Sequence, residues 1–576
     1  MAVRGRQGRC SPDRASCVPW LLVGLLGLVG AVEPPAAPAI DDGLRWLAAH
    51  QRRDGAWDRR HFDELCPEMD RCREAAVTMM KYDAEPAVTG LALLAFVEAG
   101  HTHERGEFRD QVTIGLDFLL SRQLESGSFA VVDPFEMYNH AIATLALAEA
   151  YGMSRDPSLK APLTAAVRHI VRAQQPGGGW GYTSEVATRR DDMCVSGWVV
   201  MALASAKTAG VDVPDRTVLG IIDFVTDATY ADGNVRYARE GDRIIDNATG
   251  ATSRRFGPAP TAIAMLIRQL LGWQNDTPTL TRQSDILLGE PPDIDKFHGG
   301  DPSALHSAYY WYHGSLALFN QGGDAWRVWN EPLRTALLES QDRSVDARGV
   351  KKHSFGSFPA FGPGWGRWGR VGGKVYSTAL GVLTLETSYG RVPAWLSGSG
   401  LITSSALKTG LSDPEPQRQT MLATVAARIH PDAGEPVLVD LLKHPEARLR
   451  LRAAVGLARH GSPLGEAVLR QALSGSQGGE LAAIQAALAK IESLRWPERY
   501  GPVVRVDQEH GVMVFETGGE PVYIGQRIAV EHDGKSIAEA RVTRRLSDHE
   551  LAAAEIEDGP ASKAIVVPGD TVILSK

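Results

Sequence analysis

The chain has 576 residues, too many for one hydrophobic core, so about three domains are expected. Its 61 Lys and Arg against 69 Asp and Glu leave a net charge of -8. That is no basic excess of the kind that holds nucleic acid, and no nucleic-acid partner is expected.

At the start, Arg4, Arg6, Arg9 and Arg14 precede an apolar run from Trp20 to Val32, and Ala36-Ala37-Pro38-Ala39 follows. A basic segment, an apolar core and small residues form the pattern of an export signal, here residues 1–39. The run is shorter than the ~20 residues a spanning helix needs, which favours a cleaved leader over an N-terminal membrane anchor. A periplasmic or extracellular protein is expected, touching a membrane only through an uncleaved leader. Of the five cysteines, Cys10 and Cys17 leave with the signal. Cys66 and Cys72 lie close together and, in an oxidising compartment, are expected to pair as a disulfide. A metal clip with His61 and Asp70 is the less favoured alternative.

Residues 40–400 carry an internal repeat. TGLALLAF, HAIATLAL, SGWVVMAL, TAIAMLIR, YHGSLALF and TALGVLTL align on Thr89, His140, Ser196, Thr261, Tyr312 and Thr378. Each segment lacks a polar face, so each predicts a buried helix. Each is preceded by an amphipathic stretch: Asp41–Gln51, Gln111–Gln123, Ala161–Gln174, Asp215–Ala228, a weaker one near Leu280–Leu288, and Trp326–Gln341. Six inner and six outer helices in alternation predict a mainly α fold, an (α/α)6 toroid. After three of the outer stretches a second signature appears: Gln51-x3-Gly55-x-Trp57, Gln123-x3-Gly127-x-Phe129 and Gln174-x3-Gly178-x-Trp180. The Gln amide can bond backbone groups at the helix end, Gly permits a tight turn, and the ring packs over the turn leading inward.

These motifs resemble the prenyltransferase and squalene oxidase repeat of squalene–hopene cyclases and protein prenyltransferase β-subunits. Met137 to Thr144, Tyr309 to Gly314 and Gly372 to Leu380 are similar to bacterial exported proteins that carry this repeat. The resemblance covers residues 40–400 and implies the terpenoid cyclase type of toroid, with ligands met at the mouth where inner helices begin. It does not imply an activity, because one scaffold carries different jobs. The cyclase acid motif Asp-x-Asp-Asp-Thr-Ala, laid on the repeat register, puts its first Asp on Asp192 but its proton donor on Cys194. A thiol cannot replace a strong carboxylic acid there. The prenyltransferase zinc motif matches Asp192-x-Cys194, but Lys374 to Ser377, where its His would fall, contains none, and His313 is the nearest substitute. Asp192, Cys194 and His313 are therefore only reserve metal candidates; no metal and no cofactor are expected. The Gly-Cys-Gly-Glu-Gln run of complement-type thioester domains is absent.

Tyr138, Trp198, Tyr309, Trp311, Tyr312 and Tyr376 fall at or near inner-helix starts and are candidates to line a ligand pocket, with Phe361, Trp365 and Trp368 in the final loop. Packing between repeats is the competing role. Asp192, Glu136 and His140 are the candidate catalytic residues, and Arg189, Arg190, Arg254, Arg255 and Lys374 the cations available to an anionic partner.

Residues 412–495 alternate short amphipathic helices and resemble about two HEAT repeats, too few to stand alone and so expected to dock on the toroid. From residue 500 to 576 the pattern changes to strands at 503–506, 511–515, 522–530, 540–543, 552–556 and 571–574, a small β-barrel. The broken catalytic motifs and these appended modules predict an exported, non-catalytic scaffold or ligand-binding protein with a protein partner on the helical or barrel module. The alternative is an enzyme acting on an apolar isoprenoid or a glycan at the toroid mouth.

Overall fold

The computed structural model describes residues 37–574 other than 75–82, 130–134, 187–190, 239–243, 246–251, 254–257, 294–307, 361–365, 398–399, 495–498, 508–510, 519–521, 534, 547–550 and 557–565. Residues 1–36 of the leader, Arg189, Arg190, Arg254, Arg255, Phe361 and Trp365 lie outside the described residues.

Among the described residues six outer helices alternate with six inner ones. The outer set is α1 (Ala37–Ala49), α3 (Arg109–Arg122), α5 (Pro157–Ala173), α7 (Asp215–Asp227), α9 (Pro278–Leu288) and α11 (Gly323–Ser340). The inner set is α2 (Glu85–Glu98), α4 (Glu136–Ser154), α6 (Met193–Thr208), α8 (Pro258–Leu270), α10 (Ala308–Gln321) and α12 (Gly366–Ser388). Inner helices are apolar all round because they touch neighbours on every side; α6 is buried from Met193 to Ala206. Outer helices bury one stripe, as α7 does with Val218, Ile221, Ile222 and Val225. Each inner helix packs on the next, and α12 returns to α2 and α1, which closes an α/α toroid.

The Gln signature is the joint between repeats. Gln174 Nε2 donates to Gly178 O (2.9 Å) and to Thr217 O of the next outer helix (3.0 Å). Gln51 and Gln123 do the same with Gly55 and Gln111, and with Gly127 and Pro162. The aromatic residue's backbone N–H then reaches inward to the residue that marks the repeat: Trp57 to Thr89 Oγ1, Phe129 to His140 Nδ1, and Trp180 to Ser196 Oγ. A fourth copy was hidden in the sequence. Gln341 Nε2 donates to Gly356 O (2.8 Å) and to Ala39 O of α1 (2.8 Å), and Phe358 N–H donates to Thr378 Oγ1 (3.0 Å). The last repeat thus grips the first with the device that joins the first four repeats to one another.

Beyond the ring, α13 (Ser404–Leu411), α14 (Pro416–Ala426), α15 (Pro431–Leu441), α16 (Ala447–Arg459), α17 (Glu466–Ala472) and α18 (Gly478–Ser493) stack in layers. They dock on the toroid as expected: Leu407, Leu422 and Ile429 join its apolar core, and Arg418 pairs with Asp223 (3.0 Å). After the short hairpin β1 (Ile244–Ile245) and β2 (Thr252–Ser253) within the toroid, six strands close a C-terminal barrel. These are β3 (Arg499–Asp507), β4 (Val512–Glu516), β5 (Arg527–His532), β6 (Lys535–Arg545), β7 (Leu551–Ile556) and β8 (Thr571–Leu574), in the order β3-β4-β7-β6-β5-β8. The barrel has its own core around Met513, Phe515 and Val530. It meets the helical layers where Ile524 N–H donates to buried Glu435 (3.1 Å). Among the described residues no helix is long and apolar enough to cross a membrane.

Candidate functional site at the toroid mouth

The starts of α2, α4, α6, α10 and α12 surround a pocket at one end of the ring, with about 610 Å³ of empty space counting its open mouth. Tyr138, Trp198, Tyr309 and Tyr376, four of the six aromatic residues picked from the sequence, supply its rings, and Phe135 adds a fifth. Val88, Leu91 and Ile142 complete an almost wholly apolar wall. The lining's one amide, Asn139, is spent on the backbone: its oxygen accepts from Ala87 N–H (3.1 Å) and its nitrogen donates to Asp83 O (2.8 Å). Burial pushes the Tyr138, Tyr309 and Tyr376 hydroxyls above their ordinary pKa, so they stay neutral and act as donors rather than bases. Tyr309 donates to Cys194 O (3.3 Å), which fixes its ring against α6.

Trp311 and Tyr312 do not line this pocket. Both are buried; Tyr312 stacks beneath Trp198 at 5.7 Å between ring centroids, and Trp311 points into the core. Adjacent helix residues differ in direction by roughly 100°, so a run of four aromatics cannot all face one cavity. Trp368 contributes its backbone to α12, and its side chain is outside the described residues.

The catalytic candidates are committed elsewhere. Asp192 is the N-cap of α6, its Oδ1 accepting from Val195 N–H at 2.8 Å. His140 occupies the repeat's joint position: Nδ1 accepts from Phe129 N–H and Nε2 donates to Ala166 O (3.1 Å). Burial and neighbouring His169 lower its pKa to about 3, so it is neutral at ordinary pH. Burial alone would raise Glu136, but hydrogen bonds from His169 and Ser184 outweigh it and hold the carboxyl below its usual range. Glu136 and His140 are therefore a structural pair of ties rather than an acid and a base. Replacing Asp192 by alanine is expected to cost about 0.5–2 kcal/mol, the range for a lost cap, and Asp192→Asn less, because asparagine keeps the accepting oxygen. Urea unfolding of both variants checks this; equal losses would contradict the cap role.

The reserve metal set does not assemble. His313 Nδ1 faces Tyr309 O (2.9 Å) and its ring lies edge-on to Trp198, and it forms no cluster with Asp192 and Cys194 among the described residues. Lys374, offered to an anionic partner, is buried and paired with Glu74 (3.4 Å). Cys66 and Cys72, expected to pair as a disulfide, lie beside each other as unlinked thiols in this structure. His61 and Asp70 are not their companions. His61 pairs with Asp58 (2.9 Å), and Asp70 accepts the His353 backbone N–H (2.6 Å).

Fold and site together define an α/α toroid protein with an aromatic, open mouth pocket. No family model and no curated protein matches the sequence. Among solved structures, the chain is similar to an inactive variant of an alpha-1,6-mannanase from a Salegentibacter species in complex with alpha-1,6-mannotriose. The likeness has a TM-score of 0.41 and 10% identity, over 62% of this chain and 99% of that one. The same mannanase with alpha-1,6-mannotetrose gives a TM-score of 0.42 at 8% identity, over 62% and 100%. An alpha-amylase from Clostridium perfringens gives 0.39 at 12% identity, over 61% and 97%. The mouth of this ring holds a pocket lined by four of the aromatic residues expected there, the arrangement of a ligand site rather than of packing alone. The expectation of a non-catalytic scaffold is corrected accordingly.

Proposed function

We propose that the toroid mouth is the working site of an enzyme that takes an apolar, isoprenoid-type chain. The observation that carries this reading is the wall itself: rings of Tyr138, Trp198, Tyr309 and Tyr376 with apolar carbon between them, and an Asn139 already spent on backbone groups. A sugar needs unspent donors and acceptors around its hydroxyls, which such a wall does not offer. A hydrocarbon chain needs only shape and carbon, and the faces of the aromatic rings stabilise any positive charge that develops along it. The squalene cyclase-like character read from the repeats fits this ligand class. The protein is taken to be exported by its leader, with the stacked helices, HEAT-like in pattern, and the barrel serving a protein partner.

Titrating the purified protein with a polyisoprenoid alcohol while following tryptophan fluorescence tests the ligand class, and mass spectrometry of the incubated ligand tests turnover. Binding and a changed product are expected. Ala87→Phe, at the half-buried rim, is expected to weaken binding at least ~10-fold by filling the pocket while leaving unfolding unchanged. Binding or cleavage of manno-oligosaccharides with no response to the isoprenoid would overturn the reading.

A further inference from the structure

At the seam where the ring closes, four side chains from three separate stretches converge. His50 follows α1, Cys66 and Cys72 lie in the loop after it, and His353 sits in the insert between Gln341 and Gly356. One ligand atom from each lies within 4.8 Å of the other three. We propose that His50, Cys66, Cys72 and His353 hold one structural zinc ion that clasps the first repeat of the toroid to the last.

The distances suit the ion. Zinc bonds of ~2.3 Å to sulfur and ~2.0–2.1 Å to nitrogen set tetrahedral ligand atoms roughly 3.3–3.8 Å apart. His50 Nε2 lies 3.4 Å from Cys66 Sγ, and His353 Nδ1 lies 3.6 Å from Cys72 Sγ. The surroundings orient the ligands as a metal site requires. His50 Nδ1 is bound to Trp46 O at 2.7 Å, which places its proton there and leaves the Nε2 lone pair facing the sulfurs. Trp46 stacks on the His50 ring at 4.0 Å and holds its plane. Cys72 N–H points at Cys66 Sγ (3.4 Å), which fixes the loop between the two sulfurs. Asp70 fixes the other arm by accepting the His353 backbone N–H. A Cys66–Cys72 disulfide would leave both imidazoles facing sulfur for no purpose, whereas two sulfurs and two nitrogens are a set that zinc fills.

Four protein ligands leave no open position, so the ion is structural rather than catalytic. On binding, each thiol gives up one proton to solvent, two in all, and the two thiolates neutralise the dication. Besides Gln341, polar ties across this seam include Arg343 and Lys351 on Asp42, Arg59 on the Val371 carbonyl, and Lys374 and the Ala360 N–H on Glu74. A ring of repeats is continuous in covalent bonds everywhere except here, so a cross-link between residues 66 and 353 constrains the most openable joint.

Full-length protein produced with zinc in the medium is expected to carry about one zinc per chain by elemental analysis. Cobalt replacement is expected to give the thiolate charge-transfer and d–d absorption of a tetrahedral site. Cys66→Ser and His353→Ala are expected to lose the metal and lower the thermal midpoint, while Cys194→Ser keeps both. Metal-free protein whose intact mass and alkylation show a Cys66–Cys72 disulfide would overturn the proposal. So would zinc that survives Cys66→Ser but is lost in Cys194→Ser. The cobalt spectrum of the unaltered chain decides the matter even where a variant fails to fold.

Discussion

Gly178→Ala is expected to destabilise the toroid by about 3–5 kcal/mol, several times the effect of the same change at Gly390. Both glycines have positive φ, +90° at Gly178 and +77° at Gly390, so both substitutions carry the backbone cost of about 1 kcal/mol for a side chain in that region. They differ in what the new methyl meets. At Gly390 nothing lies within 4 Å, whereas at Gly178 a Cβ would stand 1.9 Å from the Gly220 carbonyl oxygen on the next outer helix. The helix would have to move away, and with it the Gln174 bond to Thr217 that joins the two repeats. Urea denaturation followed by circular dichroism compares the two variants. Similar losses at both sites would show that the close approach is not what the signature glycine serves.

Stability is also expected to fall as pH rises from about 4.5 through 7, and to fall less in Glu386→Gln. Three inner helices bring Glu98, Glu149 and Glu386 together with Tyr312 inside the ring. Burial raises the Glu149 carboxyl to about 7, against an ordinary 4.5, even though Ser205 donates to it. Glu98 and Glu386 are pushed up by burial and by a neighbouring carboxyl, and the carboxylate oxygens of both have no hydrogen-bond partner among the described residues. A carboxyl whose folded pKa is raised keeps its proton where the unfolded chain has lost it. Its stabilisation is therefore complete below the unfolded value and disappears as pH climbs to the folded one. For Glu149 alone the span corresponds to about 3 kcal/mol, as an order of magnitude. Glu98 and Glu386 extend the decline to higher pH, with Arg391 opposing it at Glu386. Glutamine at 386 removes one of the crowded acids. Unfolding midpoints at pH 5 and pH 8 are expected to differ less in that variant; an equal difference would place the pH response elsewhere.

The amino-acid sequence by itself determined the toroid, because its signals are local and repeated. A helix without a polar face must be buried wherever it lies, and six of them alternating with six amphipathic stretches have few ways to pack. Gln174-x3-Gly178-x-Trp180 is legible for the same reason: the Gln amide returns to a carbonyl four residues on. The fourth copy, Gln341 to Gly356, is the same joint with an insert that destroys the spacing, so only the folded chain shows it. The mouth was half legible. Position along an inner helix put Tyr138, Trp198, Tyr309 and Tyr376 near its start, but rotation about the axis decided that Trp311 and Tyr312 turn into the core. The joint role of His140, the acids Glu98, Glu149 and Glu386, and the meeting of His50 and His353 with Cys66 and Cys72 left no trace in local pattern. Each depends on residues brought together from different repeats, and only closure of the ring sets those distances.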